Sequence, residues 1–107
     1  MIGEFLAELV GTFVFLSVII TSVHSKTPGA SLAWIKIGLA LSISILLVGF
    51  ISGGHLNPAV SLMFYLNNQL KLEDLILYII AQLIGGSLAY LYYKYLFKNY
   101  KSEFNTM

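Results

Sequence analysis

Asn57 and Pro58 follow the paired glycines Gly53 and Gly54 and open a short apolar run. Asparagine is a favoured helix N-cap, and proline at the first helical position loses no needed hydrogen bond. The free N–H groups of such a first turn, with the helix dipole, make a positive end of roughly half a charge. That end can donate to a neutral oxygen while repelling cations, and the Asn57 amide adds a further donor at the same point. Gly53, Gly54 and His55 allow irregular backbone whose carbonyls serve as acceptors on the approach. Donors at the centre and acceptors along the way suit a file of neutral, hydrogen-bonding molecules. In a soluble chain the same residues would read as an ordinary N-cap.

The surrounding elements decide between the two. The run from Pro58 to Leu66 gives roughly 14 Å of helix, half of a hydrocarbon core of ~30 Å. Full-length apolar stretches flank it, at about 5–23, 32–50 and 75–97, and a polar tail covers 98–107. The 107 residues are 58% apolar and 10% charged, more apolar surface than so small a soluble domain can hide. An all-α membrane protein is expected, with three transmembrane helices and one re-entrant half-helix whose N-terminus stops at the midplane. Short or Gly/Pro-interrupted segments of this kind mark transport sites. The acidic Glu4 and Glu8 and the long apolar stretch argue against a cleavable signal peptide.

Several function classes fall away. The six basic residues are all lysine and net charge is +1, so no basic field for nucleic acid exists. There is no cysteine, and no acid or second histidine stands at a ligand spacing. Neither a metal nor any other cofactor is implied, and no nucleophile–base pair points to an enzyme. Glu8 and Gln82 are polar residues inside apolar stretches, which marks functional or structural ties. Small residues recur four apart (Ala7 and Gly11; Gly38 and Ser42; Ala81, Gly85 and Ala89), a spacing that permits close helix crossings in lipid. Tyr92, Tyr93, Lys94 and Tyr95 suit a membrane interface, Lys36 reads as a snorkelling residue, and His24 and the Thr27-Pro28-Gly29 turn read as exposed loop.

Ser52-Gly53-Gly54-His55-Leu56-Asn57-Pro58-Ala59-Val60-Ser61 resembles the first Asn-Pro-Ala signature of the aquaporin (major intrinsic protein) family. Ala7-Glu8-Leu9-Val10-Gly11-Thr12-Phe13 is similar to that family's first-helix motif, and Tyr78-Ile79-Ile80-Ala81-Gln82-Leu83-Ile84-Gly85-Gly86 to its third-helix motif. The resemblance implies one aquaporin-like repeat in a multi-pass protein of the cell membrane. It implies that Asn57 is the pore-centre donor, that Pro58 and Ala59 shape the half-helix cap, and that Gly53, Gly54 and His55 supply pore-lining carbonyls. Glu8 and Gln82 would brace the irregular loop. Ile37 occupies the position of an aromatic residue of the outer constriction.

Aquaporins contain two inverted repeats, and one repeat is present here. The resemblance therefore implies association with an inverted copy of the chain or with another aquaporin-type half, the two Asn57 ends meeting at the midplane. Val60 follows Asn-Pro-Ala where the second signature carries arginine, and the chain has no arginine at all. Relaxed selectivity for water and small neutral solutes such as glycerol is the expectation. Charge complicates assembly: Lys26, Lys36, Lys94, Lys98 and Lys101 share one end, with Lys71 alone at the other, so the positive-inside rule favours a single orientation. The alternative function is a non-conducting structural or regulatory subunit that associates with other aquaporin-type chains.

Overall fold

The computed structural model describes residues 1–23 and 30–98. His24, Lys26, the Thr27-Pro28-Gly29 turn, Lys101 and nearly all of the polar tail lie outside the described residues. Helix α1 spans Ile2–Ser22, and a 3₁₀ turn at Ala30–Leu32 leads into α2 at Ala33–Ser52. The short α3 spans Pro58–Leu66, and α4 spans Leu72–Tyr92 and continues as a π-helical turn at Tyr93–Phe97. No strand occurs among the described residues. Three helices are long and apolar enough to cross a membrane, and α3 is not.

The helices reach past the apolar stretches for local reasons. Glu4 lies in the first turn of α1, and Glu73 and Asp74 in that of α4. The positive dipole end favours acids there, so both helices begin about three residues earlier than hydropathy suggests. Helix α2 runs to Ser52 and stops where Gly53 turns left-handed, at φ 90°, its N–H bonding the Gly49 carbonyl at 2.8 Å. Asn68, also left-handed, closes α3; the Asn67 and Gln69 amides bond the Met63 and Phe64 carbonyls.

The packing is inside-out relative to a soluble protein. Glu8, Thr12, Ser44, Ser52, Ser61 and Gln82 are buried, while Leu39, Ile43, Leu46 and Phe50 form the bare outer face of α2. Lipid solvates those outer side chains as well as a core would, so helix association rests on close packing and hydrogen bonds. Ser42 and Ser87 face outward and donate to the carbonyls four residues back, Gly38 and Leu83, which hides their hydroxyls from lipid.

The central contact is between α1 and α4, which run parallel. A Cβ on Gly85 would stand 2.5 Å from the Leu9 carbonyl oxygen and 3.1 Å from the Phe13 nitrogen. Only glycine admits that approach, and Ala81 and Ala89 continue the same buried stripe. Gly11 is as tight, against Leu56 and Val48. The α2 pair behaves otherwise: Gly38 and Ser42 face outward, and nothing lies within 4 Å of a Cβ on Gly38. Two of the three small-residue stripes thus lie inside this fold.

Gly85→Leu should lower the unfolding free energy in detergent by about 1–3 kcal/mol through overpacking. Gly38→Ala should leave it unchanged or raise it by up to about 1 kcal/mol. Denaturant titration followed by circular dichroism checks both, and equal effects would contradict the α1–α4 crossing.

Candidate functional site

The site is built on the five residues between α2 and α3. Gly53, Gly54 and Leu56 all have positive φ, at 90°, 63° and 56°, and Asn57 is extended. That path turns consecutive amides inward. The Gly54 N–H donates to Ser52 Oγ at 3.1 Å. The His55 N–H donates to Glu8 Oε2 at 2.9 Å, and the Leu56 N–H to Glu8 Oε1 at 2.8 Å. Left-handed backbone is costly for leucine, of order 1–3 kcal/mol. Its amide bond to Glu8 and its side chain, wedged against Ala7 and Val48, hold it there.

Glu8 is the hub, with 0% exposure. Ser52 Oγ donates to its Oε2 at 2.6 Å, and Gln82 Nε2 to its Oε1 at 3.0 Å. With the two amides, each oxygen accepts two donors, the full capacity of a carboxylate. A buried acid would be costly in lipid without such partners. Tyr78 adds a second tie from α4, its hydroxyl donating to the Ser52 carbonyl at 2.7 Å.

Gln82 hands the network on. Its Nε2 bonds both Glu8 and Ser61 Oγ (2.9 Å), which fixes the amide orientation because only the NH₂ can face a carboxylate. Ser61 Oγ accepts from Gln82 and pairs with His55 Nδ1, 2.9 Å away. The His55 ring stacks on Phe64 at 4.6 Å and leans on Tyr78 at 4.9 Å. The Nε2 side faces Gly53, where an added Cβ would be 3.3 Å away.

With the amides drawn inward, the Gly53, Gly54 and His55 carbonyls accept no bond among the described residues. Asn57 Oδ1 caps α3 by accepting the Ala59 N–H at 2.8 Å, leaving the side-chain NH₂ to donate elsewhere. The Val60 N–H also makes no bond among the described residues. Asn57, Pro58 and Ala59 are exposed on the isolated chain, and Val60 is half-buried. One end therefore presents donors, and the irregular segment leading to it presents acceptors.

Glu8, Gly53, Gly54, His55, Asn57 and Gln82 come together in this one assembly. Ile37 does not: it is half-buried near the start of α2, sixteen residues and about 24 Å of helix from Gly53. Ser52, Ser61, Tyr78 and Phe64 belong to the network, although sequence reasoning gave them no role. A signal was present for two of them. Ser61 follows Asn57 by one turn, and Tyr78 precedes Gln82 by one turn on the same face.

Residues 1–107, the whole chain, match the family model described as Major intrinsic protein. The chain is 37% identical over 86 residues to Glycerol uptake facilitator protein-like 6 of Lactiplantibacillus plantarum, covering 80% of this chain and 40% of that protein. It is 36% identical over 98 residues to Aquaporin Z of Photorhabdus laumondii, covering 83% and 41%. To Aquaporin-8 of Mus musculus it is 43% identical over 83 residues, covering 76% and 32%. The chain thus spans less than half the length of these relatives. No solved structure gives a significant match.

Glu8→Gln turns one acceptor oxygen into an NH₂ facing two donors, which should destabilise the protein by about 3 kcal/mol or more. Hydrogen exchange at the His55 and Leu56 amides should accelerate selectively. Ser61→Ala, which removes a single link, should cost about 1 kcal/mol. Unaltered exchange at both amides in Glu8→Gln would refute the hub.

Proposed function

The chain belongs to the major intrinsic protein family, and from that premise we propose that it forms half of a passive membrane channel for water and small neutral solutes such as glycerol. Membership and three membrane-crossing helices make it a multi-pass membrane protein, and the family is one of channels rather than enzymes. The observation that carries the proposal is the tip of α3. Its Asn57 oxygen is spent on the Ala59 amide, so the Asn57 NH₂ is left to donate beside the free carbonyls of Gly53, Gly54 and His55. A water or alcohol oxygen can accept from the first while its hydroxyl donates to the second.

Selectivity follows from what lines the path. Val60 stands after Asn-Pro-Ala, Ile37 replaces an aromatic residue, and arginine is absent from the chain. A pore built from two such halves lacks a fixed guanidinium and passes glycerol-sized solutes alongside water. Cation exclusion then rests on the two half-helix ends alone. The relatives' printed names, an aquaporin and a glycerol uptake facilitator, support both solutes. The second half in this proposal is an inverted copy of the chain.

The lysine asymmetry favours the alternative. Lys36, Lys94 and Lys98 sit at the end opposite Lys71, a bias toward one orientation, whereas an inverted pair needs both. Under that alternative the chain is a non-conducting subunit of other aquaporin-type chains. Cysteine-accessibility mapping of both termini in cells separates the two, since a single fixed orientation would exclude the inverted homodimer.

In proteoliposomes of the purified chain, stopped-flow light scattering should show water and glycerol permeability above that of empty vesicles. Asn57→Asp keeps the cap on the Ala59 amide but replaces the donor by a negative oxygen. It should lower water permeability several-fold and admit cations. Permeability no greater than that of empty vesicles would sink the homodimeric channel.

A further inference from the structure

Tyr92, Lys94, Tyr95 and Lys98 close the last span and take no part in the chemistry around Asn57. Beside them an outward-facing groove of about 580 Å³ runs between α1 and α4, walled by Leu9, Val10 and Phe13 on one side and by Leu88, Tyr92 and Tyr95 on the other. Neither the Glu8 hub nor Asn57 borders it, and its lining is almost entirely carbon. Gly85 and Ala89 let the two backbones close up, so the larger side chains beside them stand out as walls. Phe13 meets Tyr92 edge-on, with ring centroids 6.2 Å apart, and joins the two walls. On α4 the groove extends from Leu88 to Leu96, about 12 Å along the axis. A slot that follows two spanning helices runs in the direction of an acyl chain in a bilayer.

The outer end of the groove is cationic. Lys94 Nζ stands 5.1 Å from the centroid of the Tyr95 ring and 6.0 Å from that of Tyr90, within cation–π range. The two rings hold the ammonium at the rim, where a long side chain would otherwise sweep the interface. Lys98 follows one turn later and is exposed. No carboxylate pairs with either lysine among the described residues, where the ion pair joins the Met1 amine to Glu4. Glu4, Glu73 and Asp74 lie in the first turns of α1 and α4, at the opposite end because these helices run parallel. Glu8 is enclosed about 21 Å of helix below Ser22, and Glu103 lies outside the described residues. The rim therefore carries positive charge that no described residue neutralises.

We propose that this groove binds one anionic phospholipid from the bilayer, an acyl chain lying along Phe13, Leu88 and Tyr92 and the headgroup phosphate meeting Lys94 and Lys98. Both parts are needed. Apolar surface alone does not choose among lipids, whose tails are all as apolar as leucine. Surface lysines alone draw anionic lipid diffusely, within a Debye length. A carbon-lined slot that ends at a fixed ammonium holds a single molecule by both of its ends. The site lies within one chain, so it stands whether or not two halves form a channel.

Tryptophan quenching tests the site. The chain has a single tryptophan, Trp34, and Trp34→Phe clears the background for Leu88→Trp in the groove. The full chain is reconstituted in phosphatidylcholine vesicles that contain either brominated phosphatidylglycerol or brominated phosphatidylcholine as quencher. At Leu88→Trp, phosphatidylglycerol should bind about threefold or more tightly than phosphatidylcholine. Leu46→Trp, on the bare outer face of α2, should show no preference. Lys94→Gln/Lys98→Gln should abolish the preference at Leu88→Trp with helical content unchanged. Leu96→Trp, also in the groove and 63% exposed, reads the same contact if Leu88→Trp disturbs packing. Equal preference at the two faces, or a preference that survives the lysine substitutions, would overturn the assignment. So would relief of the quenching by inorganic phosphate at matched ionic strength, which would make the lysines a site for a free anion.

Discussion

A bilayer supplies no water to irregular backbone, and the Glu8 carboxylate takes water's place. Five residues between α2 and α3 leave the helical ladder at a depth where each unpaired N–H costs several kcal/mol. Glu8 collects two of those amides, Ser52 collects a third, and Gln82 and Ser52 satisfy what remains of the carboxylate. The left-handed Leu56, the direction of α3 and the outward carbonyls all follow from that capture. The donor chemistry at Asn57 is downstream of an acid that is itself fully enclosed.

The rest of the structure keeps that acid enclosed. Glycine at 85 brings α1 against α4 so that Glu8 and Gln82 meet, and glycine at 11 admits Leu56 beneath the loop. Aromatic packing of His55 between Phe64 and Tyr78 closes the open side. Apolar bulk contributes little here, because the large aliphatic side chains mostly point outward. Small residues and hydrogen bonds do the holding, as expected where the solvent is itself apolar.

Much of this was legible in the sequence because each helix obeys a local rule. Hydropathy marked the three long helices, and the Asn-Pro start with the end of the apolar run at Leu66 delimited α3. Glu8 and Gln82 stood out as polar residues in apolar runs. What sequence could not supply was mutual geometry. Ser52 and Ser61 look like any small hydroxyl in a membrane helix until their neighbours are known. Gly38 and Ser42 share the spacing of the buried stripes yet face outward, since four-residue spacing names a helix face but not what lies opposite it.

The hub joins residues far apart along the chain: Glu8 to Ser52, to His55 and Leu56, and finally to Gln82, 74 positions later. During synthesis at about 5–20 residues per second, Glu8 is made roughly 4–15 s before its last partner. Helix α1 therefore enters the membrane carrying an acid with nothing to bond. The irregular loop cannot settle at depth until α1 and α2 are both in place, and α4 locks it last. The hub is thus completed only when the final helix packs against the first and Gln82 reaches Glu8.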